Sequence, residues 1–410
     1  MGDTLKINIC DQEGNIFDTI TMDTDKVPRK EENTNLFLDT SIARDFRNVI
    51  TSSMIFAKSE KLKEKYNLIC VVMDRLTSAI NYLNAHDAFP ECDESFICFL
   101  VYASMVKDAI SKLYENIYQK KPTYLEETKY FKDVKQYGIN VFSNETCPTD
   151  DVFFEYLRSM AFAHPFETSG RKRPFLEENE KQYCPWVIVS DNQVGIRVYT
   201  SSDKFVIQDL TFSFDTLKAY IRDRYEYLSV LKKWAEDEID IQDQEWLTHK
   251  VDRKDDVFET IKSIRQIYDE RFLETYHIDC IETYLKCQST NCNNNGNVLI
   301  FKNALRDSVS KICDALDTLD YNALDKAIAI LRVTPKNAYP ILDYHLSKIF
   351  SYLDEDSDFF DIKMALSLVD DFSQRFVKKW VTIDTQTMSF DEIKLLVQTA
   401  CYLEAMDENE

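Results

Sequence analysis

Glycine is scarce in this chain. Only six of the 410 residues are glycine (Gly2, Gly14, Gly138, Gly170, Gly195 and Gly296), and no two lie close together. Glycine-rich phosphate cradles need backbone N–H groups packed against a ligand with no Cβ in the way. None can be built here, which excludes the common P-loop and dinucleotide fingerprints. No G-x-S-x-G run occurs and no cysteine adjoins a histidine, so the sequence motifs of serine and cysteine nucleophiles are missing too. Long apolar runs are also lacking: the most apolar window, FICFLVYASMV at 96–106, has eleven residues, whereas a helix spanning a bilayer needs about 20. The first residues, MGDTLKINICDQEG, hold no basic stretch followed by an apolar one. The expectation is a cytoplasmic protein with no membrane association.

Positive charge is in short supply. Against 71 acidic residues stand 49 basic ones, a net charge of −22. Such a surface repels polyphosphate at long range, so any nucleic-acid site must be a local basic island. The eleven cysteines are odd in number and often sit within apolar runs, as Cys70, Cys98, Cys313 and Cys401 do. That usage fits buried thiols in a reducing compartment, not a disulfide framework.

What is present is ample material for packed cores, with 44% hydrophobic and 13% aromatic residues. The length predicts two domains or three. Residues 5–22 read as a β-hairpin around DQEG, a candidate to extend a later sheet. A charged connection follows to residue 38. Helices are expected over 39–65, opening on Asp39 or Thr40, then over 67–83 and 94–118. In the last, Phe96, Phe99, Tyr102, Met105, Ile110, Leu113 and Ile117 form a wide apolar stripe. Residues 119–149 read as irregular.

Asp150 and Asp151 suit the positive end of the next helix dipole. That helix should stop near His164, because Pro165 disfavours α geometry in the residue before it. The period then changes: 186–190, 194–200 and 204–207 read as short strands. No proline occurs between Pro185 and Pro335, which permits long helices. They are expected over 212–240, 253–287, 299–320, 322–332, 338–353, 358–381 and 389–405. The run STNCNNNGN at 289–297 reads as a polar linker.

The segment DVFFEYLRSMAFAHPFETSG at 151–170 carries the main chemical signal. Arg158 and His164 stand six residues apart, which on an α-helix is about 120° of rotation and about 9 Å along the axis. One helix face does not hold both; a groove, or a second copy, would have to. Arginine offers a planar fork of donors for phosphate, and histidine exchanges a proton near neutral pH. Together they are the parts of a metal-free phosphodiester cleavage, one group taking a 2′-hydroxyl proton and the other holding developing charge. Equally, the arginine fits a salt bridge and the histidine a helix stop beside Pro165.

The two helices before this element and the motif LRSMAFAHP resemble the HEPN superfamily, over roughly residues 40–240. The resemblance implies a small helical bundle whose signature arginine and histidine, here Arg158 and His164, are separated by four to six residues. It also implies the activity of many members, metal-independent RNases of toxin, phage-defence or CRISPR systems that act as homodimers with a composite site. Some members are inactive binding modules. Ser159 stands where the family often has Asn, Asp or His, and Pro165 where more helix is common.

Arg171, Lys172 and Arg173 form the densest positive run, with Lys204, Arg222 and Arg224 later in the chain. They are candidate RNA-backbone contacts beside Phe166, Phe175, Tyr183 and Trp186, or a solvated turn paired with Glu177, Glu178 and Glu180. His277, Cys280, Cys287 and Cys292 are the one cluster of metal-ligand types, but their spacing matches no standard zinc site. The EDEID run at 236–240 reads as a solvated face. No metal or cofactor is expected.

The expectation is thus a mainly α protein. Residues 1–38 give a hairpin and connection, 39–288 a HEPN-like helical bundle carrying a small antiparallel β-meander at about 185–208, and 298–410 a C-terminal helical bundle open to a protein partner. The expected function is a metal-independent endoribonuclease with Arg158 and His164 catalytic. The alternative is a non-catalytic helical scaffold, adaptor or nucleotide sensor.

Overall fold

The chain is mainly α-helical, with a two-stranded and a seven-stranded antiparallel sheet among the described residues. The computed structural model describes residues 4–10, 16–23, 36–143, 147–169, 181–200, 207–336, 339–354 and 356–408. Two compact units divide it, Met1–Glu236 and Asp237–Glu410.

In the first unit, β1 (Thr4–Cys10) and β2 (Ile16–Asp23) pair antiparallel with each other. Among the described residues they form their own two-stranded sheet and do not pair with the larger one, which the sequence had offered as a candidate extension. Next comes α1 (Thr40–Ser52), whose first turn is capped by Asp39 accepting from Ser41 N at 2.8 Å. The helix expected over 39–65 does not run through. Thr51 and Ser52 turn their hydroxyls back onto Arg47 O and Val49 O, an alternative to continuing the helix. The chain goes extended at Ser53 before the short α2 (Ile55–Lys58).

The longer α3 (Lys63–Ala85) and α4 (Asp93–Tyr118) pack on each other. Buried residues of α4 recur at Phe96, Phe99, Leu100, Ala103, Val106, Ile110, Leu113 and Ile117, the helical spacing of a core face. Met105 is 37% exposed and lies off that face.

The sheet contains β3 (Lys135–Gln136), β4 (Ile139–Asn140), β5 (Thr168–Ser169), β6 (Lys181–Tyr183), β7 (Val187–Ser190), β8 (Gln193–Thr200) and β9 (Ile207–Ser213), ordered β4-β3-β9-β8-β6-β5. Strands β6 and β7 share one side of β8, and β9 takes the other. Val194, Ile196 and Val198 alternate inward with Leu210 and Phe212. The third strand begins where the expected one ended and reaches Ser213, because Leu210 and Phe212 keep the two-residue period. Gly195 is required by a close approach: a Cβ there would lie 1.9 Å from Leu210 O.

Between β4 and β5 runs α5 (Asp150–Arg158), and after β9 come α6 (Phe214–Glu226) and α7 (Leu228–Thr248), which contains the boundary between the units. Phe131 and Phe153 meet Phe212 with ring centroids 5.3 and 5.9 Å away. They seat α5 against the inner face of the sheet.

The second unit is built from α8 (Val257–Glu270), α9 (Tyr276–Lys286), α10 (Asn295–Thr318), α11 (Tyr321–Ile328), α12 (Leu342–Tyr352), α13 (Phe359–Ser373) and α14 (Phe390–Asp407) around one core. The expected helix 253–287 is broken at Arg271–Thr275. Phe272 takes φ +60°, and the buried Arg271 donates to Leu316 O, Trp246 O and His249 O at 2.7, 3.0 and 3.1 Å. One guanidinium thereby satisfies carbonyls at two helix ends, while burial holds its pKa below the ordinary arginine value.

The 289–297 run is not an open linker. Asn294 is 1% exposed, and its amide exchanges hydrogen bonds with Thr382 O and Thr382 N, both at 2.8 Å. The buried Glu392 carboxylate accepts from Thr290 N at 2.7 Å. Polar residues here serve as interior partners, and α10 begins within the run.

Candidate functional site

Thr149 caps α5, its hydroxyl accepting from Val152 N. Asp150 and Asp151, expected simply to favour the dipole, are buried. Asp150 accepts from the backbone N–H groups of Lys129, Tyr130 and Phe131 at 2.7, 2.8 and 3.0 Å, so it fixes the incoming turn. Asp151 lies 2.8 Å from the Arg224 guanidinium and accepts from Tyr220 Oη at 3.0 Å.

Arg224 is therefore not part of a surface basic island. Its side chain is fully buried and stacks on Tyr124 and Tyr220, at 4.4 and 4.8 Å from their ring centroids. Burial opposes its charge, but Asp151 outweighs that and holds it protonated. Arg222 is likewise engaged, donating to Phe37 O. Lys204 and Arg171, Lys172 and Arg173 lie outside the described residues, as does Phe175.

Asp151, Glu155 and Arg158 follow at helical spacing i, i+4, i+7, so α5 carries a charged stripe. Lys107 of α4 donates to Glu155 at 2.6 Å, and Arg158 donates to the other Glu155 oxygen from Nη2 at 2.6 Å and from Nε at 3.1 Å. Burial pushes the Glu155 carboxyl up. Lys107, then Arg158, more than reverse this and hold it below its ordinary value. Burial likewise opposes the charge on Lys107, yet Glu155 raises its pKa overall. The Arg158 side chain is 32% exposed, and its Nη1 makes no hydrogen bond among the described residues.

After Arg158 the helix widens. Residues Ser159–Ala163 form a π turn, closed by His164 N donating to Ser159 O at 2.7 Å. The helix ends at His164, as the following proline predicted. A ring closed from i to i+5 advances less per residue than an α turn, so six residues cover less than the about 1.7 turns of an α-helix. The imidazole is exposed and makes no side-chain hydrogen bond among the described residues. Nothing on one chain bonds Arg158 to His164. The two flank the π turn, one anchored on Glu155 and one open. Single π turns are rare and recur at functional sites; no sequence signal announced this one.

Beyond the turn, Phe166 is 88% exposed, and Trp186 is 45% exposed with the Arg197 guanidinium 4.7 Å from its ring centroid. Arg197 also pairs with Asp209 through two 2.5 Å contacts.

In the second unit, His277 and Cys280 line one cleft, while Cys287 is half-buried and Cys292 exposed. Among the described residues no group of three or more His, Cys, Asp or Glu side chains is placed to hold a metal ion. Burial raises the pKa of Cys280, which leaves it a poor nucleophile at neutral pH. No described helix is long and apolar enough to cross a membrane. No protein-family model matches the chain, no curated protein matches it, and no solved structure matches its fold.

Proposed function

We propose that the end of α5 is a metal-independent RNA-cleaving site, in line with the HEPN resemblance of its motif. One observation carries the reading: Arg158 and His164 flank a π turn with both side chains reachable from solvent, while Tyr156, Leu157 and Met160 between and before them are buried. His164 removes the 2′-hydroxyl proton, the 2′-oxygen attacks the adjacent phosphorus, and Arg158 Nη1 bonds the developing charge on the phosphoryl oxygens. The 5′-oxygen leaves and takes a proton from water, and His164 returns the 2′-hydroxyl proton to solvent, giving a 2′,3′-cyclic phosphate and a 5′-hydroxyl. Arg158 hydrogen-bonds to Glu155 and not to His164 within the chain, and the resemblance implies a composite site, so the reading has the pair completed by a second copy of the chain. A toxin or phage-defence role is the biological setting that the resemblance implies.

A second reading rests on Glu155. That carboxylate already holds Arg158 and Lys107, which suits a purely structural arginine in a helical scaffold. The products separate the two. Incubation with single-stranded RNA in EDTA should yield cyclic-phosphate ends under the first reading. Intact RNA at micromolar protein would favour the second.

A further inference from the structure

The second unit contains a cleft of about 300 Å³ between α9, the segment after α11, α12 and α14. Its volume is at the lower end of the range for small-molecule sites, which combine an apolar lining with a few polar groups. Tyr284, 5% exposed, and Phe350 give it aromatic walls, and Tyr276, 62% exposed, stands at the rim.

Gln398 of α14 also lines the cleft and is 1% exposed. Its amide nitrogen donates to Ile330 O at 3.1 Å. A backbone carbonyl only accepts, so this contact fixes the amide orientation. Oε1 is then the acceptor that Gln398 brings to the cleft, and it makes no hydrogen bond among the described residues. Oε1 is not one of the fully buried atoms left without a partner, so it is an open acceptor at which a donor on a ligand replaces water.

The rim sets the charge. Arg332 donates to His277 Nε2 at 2.6 Å and lies 3.7 Å from Asp325. Asp343 is exposed on the lining and makes no ion pair among the described residues. A cationic ligand would meet Arg332 and an anionic one Asp343. A neutral molecule with both donors and acceptors meets neither penalty, and aromatic walls favour a flat one.

We infer that this cleft binds a neutral, planar heteroaromatic of the nucleobase or nucleoside class, with its N–H groups toward Gln398 and Asp343 and a ring acceptor toward Arg332. The inference stands on the second unit alone and does not depend on the RNA-cleavage reading.

The test is calorimetric titration of the full chain with adenosine, guanosine, cytidine and uridine, backed by saturation-transfer NMR. At least one should bind saturably at one site per chain. Asp343→Ala and Tyr276→Ala, both at exposed positions, should each weaken that binding at least tenfold. Three results would overturn the inference: no nucleoside binds below millimolar concentration, both variants bind as the wild type does, or a nucleoside 5′-monophosphate binds more than tenfold tighter than its nucleoside.

Discussion

Lys107 Nζ stands 2.6 Å from Glu155 Oε1, an ion pair between α4 and α5 in which the lysine side chain is only 10% exposed. The same carboxylate aims Arg158, so the packing of two helices and the placement of a candidate catalytic group share one anion.

Removing that anion has two consequences. Glu155→Ala strands a largely buried ammonium and frees the guanidinium, and should lower stability by about 1.5–3 kcal/mol, the range for hydrogen bonds to charged groups. Urea unfolding checks it. Adding Lys107→Met to Glu155→Ala should restore part of the loss, because the desolvated charge is then gone as well. Equal midpoints for wild type and Glu155→Ala would contradict the network.

The pH dependence follows from the sign of the shift. Glu155 is held below its ordinary value in the fold, so the unfolded chain binds more protons there as the solution becomes acidic. Its contribution is complete above about pH 4.5 and fades as pH falls through the lower folded value. The stability gap between wild type and Glu155→Gln should therefore be constant from pH 5 to 7 and narrow below the ordinary carboxyl range. A gap that widened in acid would refute the assignment.

Gly195 sets the pairing of β8 with β9. A Cβ there lies 1.9 Å from Leu210 O and 2.9 Å from Thr211 Cα, both backbone atoms. Gly195→Ala should cost about 2–4 kcal/mol, among the larger single-site effects. Gly296, near the start of α10, has nothing within 4 Å of its Cβ position; Gly296→Ala should stabilise by about 0.4–1 kcal/mol. Thermal unfolding of the two variants should move in opposite directions.

His277 is held below its ordinary value by burial and then by Arg332. Its neutral ring, accepting from Arg332, adds stability above about pH 6.5 that is lost as pH falls through the folded value. NMR titration should place its midpoint below 6.5, and Arg332→Ala should move that midpoint upward.

Local signals were readable in advance; distant partners were not. The cap at Asp39, the apolar spacing of α4 and the stop before Pro165 all rest on residues a few positions apart. Arg224 looked like a surface cation because Asp151, which neutralises it, is 73 positions away. Asn294 looked like linker for the same reason, its partner Thr382 being 88 positions away. At the candidate site the sequence pointed to Arg158 and His164 but was silent on Glu155 and on the π turn. Both depend on how α5 packs, and α4 supplies the lysine that fixes it.

If the site is shared between two copies, inactive variants should complement. Arg158→Ala and His164→Ala would each be silent alone, while an equimolar mixture, after subunit exchange, would regain about a quarter of wild-type activity, since half the dimers carry one intact site of two. An active mixture would establish the composite arrangement, and a silent one would confine both residues to one chain.

The most direct measurement is RNA cleavage in EDTA by the wild type and by His164→Ala, with circular dichroism recorded on both. His164 is exposed and its side chain makes no hydrogen bond among the described residues, so the substitution should leave the spectrum unchanged. The account predicts that cleavage falls by at least a hundredfold, the scale of a lost general acid–base. Equal cleavage by the two proteins, or none by the wild type, would contradict it.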